Sequence, residues 1–324
     1  SGRFSARAEL PGGVVAQDFD ADGVLDLILA AAPSPQVLHR PGAGVFLVRG
    51  RKAGGYEPAV ALVEAPVSAL AALPPEDGRV TQLLVLTRGD VSAQRPGELW
   101  IFAGGPTLQR VAQQSVGVGP RDLVVARLGA GTEHTAWSVL PQAGRVFGLA
   151  LSSAGGKVTL GAPQSMAFAG VQGLLSPALA EQGTTLLARD VRDVKQVTFE
   201  GQAYALAPWA EGVNVGPGVI VDLDADSRPE VLAVVDGGVT RVFAPGQATP
   251  EELELSGHFA SVLDVTAVRD ETARERGVAL VRERDSNMLS LLILPRPPWS
   301  ENAELIVQRA EATEHPGHAV VALE

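Results

Sequence analysis

Short apolar runs of about four to eight residues alternate with Gly, Pro, Asp and Ser clusters along the whole chain, and long helical periodicity is absent. This pattern predicts many short β-strands separated by turns. The runs recur in order. A first apolar segment such as GGVVAQDFD (12–20) or GPGVIVDLD (216–224) is followed by a polar loop and a second segment: LDLILAAA (25–32), TQLLVLT (81–87), TAWSVL (135–140), TTLLARD (184–190), EVLAVV (230–235) and GVALVRE (277–283). A third follows in most units, among them GVFLVRG (44–50), ELWIFAG (98–104), RVFGLAL (145–151), QAYALAP (202–208), VTRVFAP (239–245) and SLLILPR (290–296). A less apolar fourth closes the unit, as in YEPAVALVE (56–64) and AELIVQR (303–309).

The first segments are anchored near residues 14, 67, 123, 171, 219, 262 and 319, a period of about fifty residues. Four strands per unit at that period is the arithmetic of a β-propeller blade. The expectation is an all-β fold: one β-propeller domain over 1–324 with about seven four-stranded blades. Six of these are complete repeats, and the last is shared or truncated. RFSARAEL (3–10) is the candidate to supply an outer strand that closes the ring, and PGHAVVAL (316–323) carries the seventh anchor.

The loop DFDADGVLD (18–26) changes the picture from architecture to chemistry. Carboxylates stand at its positions 1, 3, 5 and 9: Asp18, Asp20, Asp22 and Asp26. DLDADSRPE (222–230) repeats the spacing with Asp222, Asp224, Asp226 and Glu230. Four carboxylates so close repel one another, so a cation or a very open loop is required. A hard cation such as calcium takes six to eight oxygens from carboxylates, carbonyls and water. Alternate side chains on a curled loop converge on one point, and position 7 (Val24 or Arg228) can add its backbone carbonyl. Gly23 at position 6 permits a positive-φ turn, whereas the second loop has Ser227 there. Position 12 holds Leu29 or Ala233, not the glutamate of an EF-hand, and the flanks read as strands.

The segment D-F-D-A-D-G-V-L-D-L between two strands of a repeat resembles the FG-GAP/VCBS repeat of integrin α-subunit propellers and many bacterial surface proteins. The resemblance implies a calcium ion in the loop joining the first two strands of a blade. Its ligands would come from Asp18, Asp20, Asp22, Val24 and Asp26, with a second candidate site at Asp222, Asp224, Asp226, Arg228 and Glu230. The motif has decayed in the other units, where LPPEDGRV and ARLGAGTEH (126–134) keep two carboxylates and one.

Composition and charge narrow the function. The chain of 324 residues is 46% hydrophobic, enough for a sizeable core, and its net charge of −11 argues against nucleic acid and anionic membranes. With no cysteine, disulfides, zinc–thiolate sites and cysteine nucleophiles are excluded. No apolar run reaches the length of a membrane span. The chain starts at Ser1 with no Met and no signal peptide, which reads as a processed or recombinant piece. No G-x-S-x-G, Walker loop or H-E-x-x-H is present. His315 and His318 flank a Pro-Gly turn, and His39, His134 and His258 are isolated. Arg88-Gly89-Asp90 is a tripeptide that integrins bind on exposed loops, though it arises readily by chance.

These observations point to a non-catalytic, calcium-binding propeller that binds a protein partner in adhesion or scaffolding at the cell envelope or outside the cell. The competing expectation is a glycan-binding propeller, with Trp209 and Trp299 as stacking platforms after equivalent third strands. Trp100 and Trp137 lie within apolar strands and read as packing. A hydrolase or lyase is a third, weaker expectation, because no catalytic constellation supports it.

Overall fold

In a computed structural model the chain is described over residues 13–31, 44–73, 81–105, 107–128, 133–154, 157–177, 185–200, 203–226, 228–243, 249–253, 259–269, 274–284, 289–295, 299 and 306–310. It divides into two compact units, residues 1–171 and 172–324. Each unit contains three four-stranded sheets, and each sheet is made of four consecutive strands paired antiparallel in chain order.

In the first unit, sheet one holds β1 (Val14–Gln17), β2 (Asp26–Ala31), β3 (Gly44–Val48) and β4 (Val60–Val63). Sheet two holds β5 (Val67–Leu73), β6 (Gln82–Thr87), β7 (Gly97–Ala103) and β8 (Gln109–Gly117). Sheet three holds β9 (Arg121–Ala126), β10 (His134–Leu140), β11 (Arg145–Ala154) and β12 (Lys157–Ala167). One 3-10 turn, Pro141–Ala143, links β10 to β11.

In the second unit, sheet four holds β13 (Gly173–Leu175), β14 (Leu187–Arg189), β15 (Asp193–Glu200) and β16 (Ala203–Glu211). Sheet five holds β17 (Gly218–Val221), β18 (Glu230–Val235), β19 (Gly238–Phe243) and β20 (Glu251–Leu253). Sheet six holds β21 (Phe259–Arg269), β22 (Glu275–Glu283), β23 (Leu289–Ile293) and β24 (Ile306–Ala310). A parallel bridge between Pro177 and Ile220 sets the ends of sheets four and five side by side. Among the described residues no helix is long and apolar enough to cross a membrane.

The second strands carry the core because both of their faces are covered. All six residues of β6 are buried. Its period-2 alternation sends Leu83 and Val85 into a cluster with Ile28 and Val45 of sheet one and Phe19 of the loop between β1 and β2. Leu84 and Leu86 go to the other side, into a cluster with Ala136, Leu149 and Leu151 of sheet three. In the second unit β18 divides in the same way. Val231 and Ala233 pack with Leu175, Leu187 and Trp209, while Leu232 packs with Val262, Ala279 and Val281. Fully burying a Leu, Ile or Val side chain stabilises by about 1.5–3 kcal/mol, so these shared faces dominate the energetics.

Two details of the expected repeat are corrected. Six sheets form among the described residues, not about seven. The first six anchors fall at or within a few residues of the starts of β1, β5, β9, β13, β17 and β21, whereas the seventh had one strand to its name and lies outside the described residues, as does 3–10. In sheet four, the AYALAP part (203–208) of the QAYALAP run belongs to the fourth strand, β16. The third is β15, DVKQVTFE, whose buried Val194 and Val197 lie among polar residues that hide the strand from an apolar-run criterion.

Trp137 on β10 is fully buried and pairs with Gly148 on β11. A Cβ at Gly148 would come within 2.5 Å of the indole ring. Gly148→Ala is therefore expected to overpack this site and lower stability by about 1–3 kcal/mol. The check is a urea titration in which the midpoint falls and the slope is unchanged; a midpoint at the wild-type value would show that the indole has room to move.

Candidate metal centre

Loop 18–26 connects β1 to β2. Its curl is built by its own carboxylates. Asp18 accepts the backbone N–H groups of Asp22 at 3.1 Å and Gly23 at 2.8 Å, and Asp22 accepts that of Val24 at 2.9 Å. Ala21 and Gly23 take positive φ, 61° and 87°, which closes the turn. Phe19 points the other way and plugs the core at 1% exposure. Its carbonyl accepts the Gly105 N–H at 2.7 Å, tying the loop to sheet two.

One carboxylate oxygen from each of Asp18, Asp20 and Asp22 lies within 4.8 Å of the others. Among the described residues this is the one set of three or more acidic, His or Cys side chains that converges so tightly. Arg49, just past β3, pairs with Oδ2 of Asp20, while the buried Oδ1 of Asp20 has no hydrogen-bond partner. Asp26 stands outside the trio. It is 2% exposed, and its two oxygens accept the N–H groups of Phe19 at 3.3 Å and Gly50 at 3.0 Å. Burial pushes its carboxyl above the usual range, the two amides pull it back, and Asp18 and Asp22 push it further up. Asp26 therefore fastens the loop to the sheet. The donor set of this loop suits a hard cation: three convergent carboxylates, a free buried oxygen and the nearby backbone of Val24.

Loop 222–230, between β17 and β18, has the same backbone scheme. Asp226 N–H donates to Asp222 at 3.1 Å, Arg228 N–H to Asp226 at 2.9 Å, and Leu223 N–H to Glu230 at 2.8 Å. Ala225 has φ 57°, matching Ala21. Ser227 lies outside the described residues. The charge is handled differently. Arg241 of β19, 3% exposed, pairs with Glu230 and Asp224 and reaches Glu251 at 3.2 Å. Its guanidinium also lies 4.6 Å from the Phe243 ring centroid. Burial pushes the Glu230 carboxyl up, and Arg241 and the Leu223 amide hold it back. Arg228 stays at the surface, 3.8 Å from Asp226. Glu275 of β22 accepts the Asp222 N–H at 2.7 Å. With a buried guanidinium already among its carboxylates, this loop, where the sequence suggests a second calcium site, has its charge offset from within the chain.

The motif reading missed both arginines, yet each had a signal. A basic residue interrupts or ends the apolar third strand in VFLVRG and in VTRVF, the two blades whose loops are acidic.

The other flagged residues have structural roles. In Arg88-Gly89-Asp90, the Asp90 carboxylate accepts Ser92 Oγ at 2.6 Å and Ala93 N–H at 3.0 Å, which hold its pKa below the usual range. Gly89, φ 67°, is wedged against Arg95 and Gly97. Trp209 lies on β16, not after a third strand, and is buried at 5% exposure. Trp299 follows β23, is partly buried against the core of sheets five and six, and donates its indole N–H to Pro295 O at 3.2 Å. The two indoles are thus neither equivalent nor both open, and the expected stacking platforms are not present as a pair. His39, His258, His315 and His318 lie outside the described residues.

No protein-family model matches the sequence. No curated protein matches it either. Solved structures do. A protein from Lactobacillus plantarum is similar at 14% identity over 98% of this chain and 89% of its own, with a TM-score of 0.58. AofleA from Arthrobotrys oligospora is similar at 11% identity over 99% of this chain and 93% of its own, with a TM-score of 0.50. At such identities the likeness shows the fold alone, an all-β arrangement of six β-propeller blades.

Two outcomes test the electrostatics. Arg241→Met leaves Glu230 buried without its cation and is expected to cost about 3–5 kcal/mol; adding Glu230→Gln should recover part of the loss, and a double variant no better than the single one would show that the pair is not the cause. Half-buried His134 has its pKa pushed down to about 4 by burial, with Arg127 adding to the effect. Its folded pKa lies below the unfolded one, so the neutral ring's contribution is complete above about pH 6.5 and is lost as pH falls toward 4. His134→Asn should remove about 1–2 kcal/mol of that acid sensitivity, discounted for partial solvent exposure. Unfolding free energies at pH 7 and pH 4.5 that differ equally in both proteins would refute it.

Proposed function

We propose that this chain is a non-catalytic β-propeller whose first acidic loop binds one calcium ion, and that it binds a protein partner in adhesion or scaffolding at the cell envelope or outside the cell. The observation that carries the calcium assignment is the convergence of Asp18, Asp20 and Asp22 beside the partnerless Oδ1 of Asp20. The resemblance of this loop to the FG-GAP/VCBS repeat supports the same assignment. Asp18, Asp20, Asp22 and the Val24 carbonyl would hold the ion, and Asp26 keeps the loop fastened to β2 and to Gly50.

The ion's work is structural. It offsets the repulsion among three carboxylates and locks a loop whose Phe19 reaches the core. Calcium sites of extracellular modules are often weak because external calcium is plentiful, which is the basis for the assigned location. In the second loop Arg241 supplies the positive charge, so one ion is assigned and not two.

Thermal melts of chelator-stripped protein test this reading. Calcium at ten times its Kd should add about 1.4 kcal/mol, a rise of roughly 2–4 °C, with magnesium far less effective. Asp20→Asn should abolish most of the rise, and Asp224→Asn should leave it intact. An equal rise in the wild type and Asp20→Asn, or none in either, would remove the calcium assignment.

A further inference from the structure

A second feature lies at the starts of the first strands, away from the acidic loops, which follow their ends. Sheets two and three enclose a cleft of about 370 Å³ where β5 begins, β6 ends and β9 begins. That volume suits a small organic molecule. Val67, Val91 and the buried Pro120 contribute apolar lining, and Ser68, Gln142 and the acidic Asp122 contribute polar lining. Exposed Arg88 and Arg121 also line it, and neither makes an ion pair with any described residue. In a chain of net charge −11, with 26 basic against 37 acidic residues, this cleft thus brings together two arginines that make no ion pair with any described residue.

The backbone beneath both arginines is held. Arg88 N–H donates to Pro66 O at 2.9 Å, and Arg121 O accepts Ser138 Oγ at 2.9 Å. Next to Arg121, Asp122 takes φ 53° inside a strand, and the β9–β10 register slips between Arg121↔Val139 and Val124↔Trp137. A bulge of this kind re-aims side chains, and a strained non-glycine residue persists only where its surroundings enforce it. Gly119, φ 63°, also lines the cleft, and a Cβ there would lie 3.0 Å from Val91 and 3.9 Å from the Gln142 amide nitrogen.

We propose that this cleft binds a small organic anion, a carboxylate or phosphate monoester on an apolar body. The guanidinium groups of Arg88 and Arg121 take the anionic group, and the body rests on Val67, Val91 and Pro120. Guanidinium forks match the oxygen geometry of both anions, and the shared chemistry is what the cleft selects. This site is independent of the calcium assignment.

The test is calorimetric titration of the full chain with benzoate, phenyl phosphate and, as the neutral control, benzyl alcohol at constant ionic strength. At least one anion is expected to bind at millimolar Kd or tighter, with benzyl alcohol at least about tenfold weaker. Arg88→Gln or Arg121→Gln should weaken the anion by about tenfold or more without lowering the melting temperature, whereas Arg192→Gln should not. Benzoate binding alone marks a carboxylate site, and phenyl phosphate binding alone a phosphate site. No anion binding, binding matched by benzyl alcohol, or binding that survives both cleft substitutions would overturn the proposal. Because Arg121 sits on the bulge, Arg88→Gln serves as the deciding variant if Arg121→Gln melts early.

Discussion

A four-stranded sheet with two apolar faces is insoluble and unstable alone, and the whole structure follows from covering those faces. In each unit the middle sheet meets the requirement most fully. The alternation of β6 feeds two different clusters at once, and that of β18 does the same. Once both faces of a second strand are apolar, nothing charged can sit in mid-strand without a partner. The polar chemistry is pushed to the strand ends. The acidic loops stand where first strands end, and the arginine-lined cleft stands where first strands begin.

The two acidic loops show one backbone solution with two charge solutions. Both curl through an alanine at φ near 60°, both use the first aspartate to accept the fifth residue's amide, and both close on a buried carboxylate that opens the second strand. They part at that last residue. Asp26 spends its second oxygen on the Gly50 amide, whereas the longer Glu230 meets Arg241. Register explains why the two arginines differ. Arg241 lies opposite Leu232, two residues inside the strand, and is sealed from solvent. Arg49 lies just past the end of β3, is 22% exposed, and engages only one oxygen of Asp20. A covalently tethered, buried cation holds its loop at all times; a peripheral arginine leaves oxygens free.

Much of this was legible in the sequence. The period of about fifty placed the first strands, because glycine and proline turns punctuate runs whose length only strands fit. The matched spacing of Asp18, Asp20 and Asp22 placed their convergence, because a curled loop brings alternate side chains together. What the sequence hid depends on pairing across strands. That Arg241 reaches Glu230 requires the β18–β19 register, which no single segment encodes. The polar strand β15 escaped an apolar-run criterion because only two of its eight residues are buried. The cleft was hidden most deeply, since Arg88 and Arg121 are 33 positions apart and line one cleft only because sheets two and three pack together.

The separation of the two polar regions limits how one can influence the other. Positive charge entering the acidic loop acts on sheet one and, through Phe19 and the Phe19–Gly105 hydrogen bond, on the near face of sheet two. The cleft is built between sheets two and three, and the β6 residues facing sheet three belong to the other cluster. Ion binding as proposed at the loop would act on the stability of the first unit, whereas the anion affinity proposed for the cleft would depend on Arg88 and Arg121 themselves.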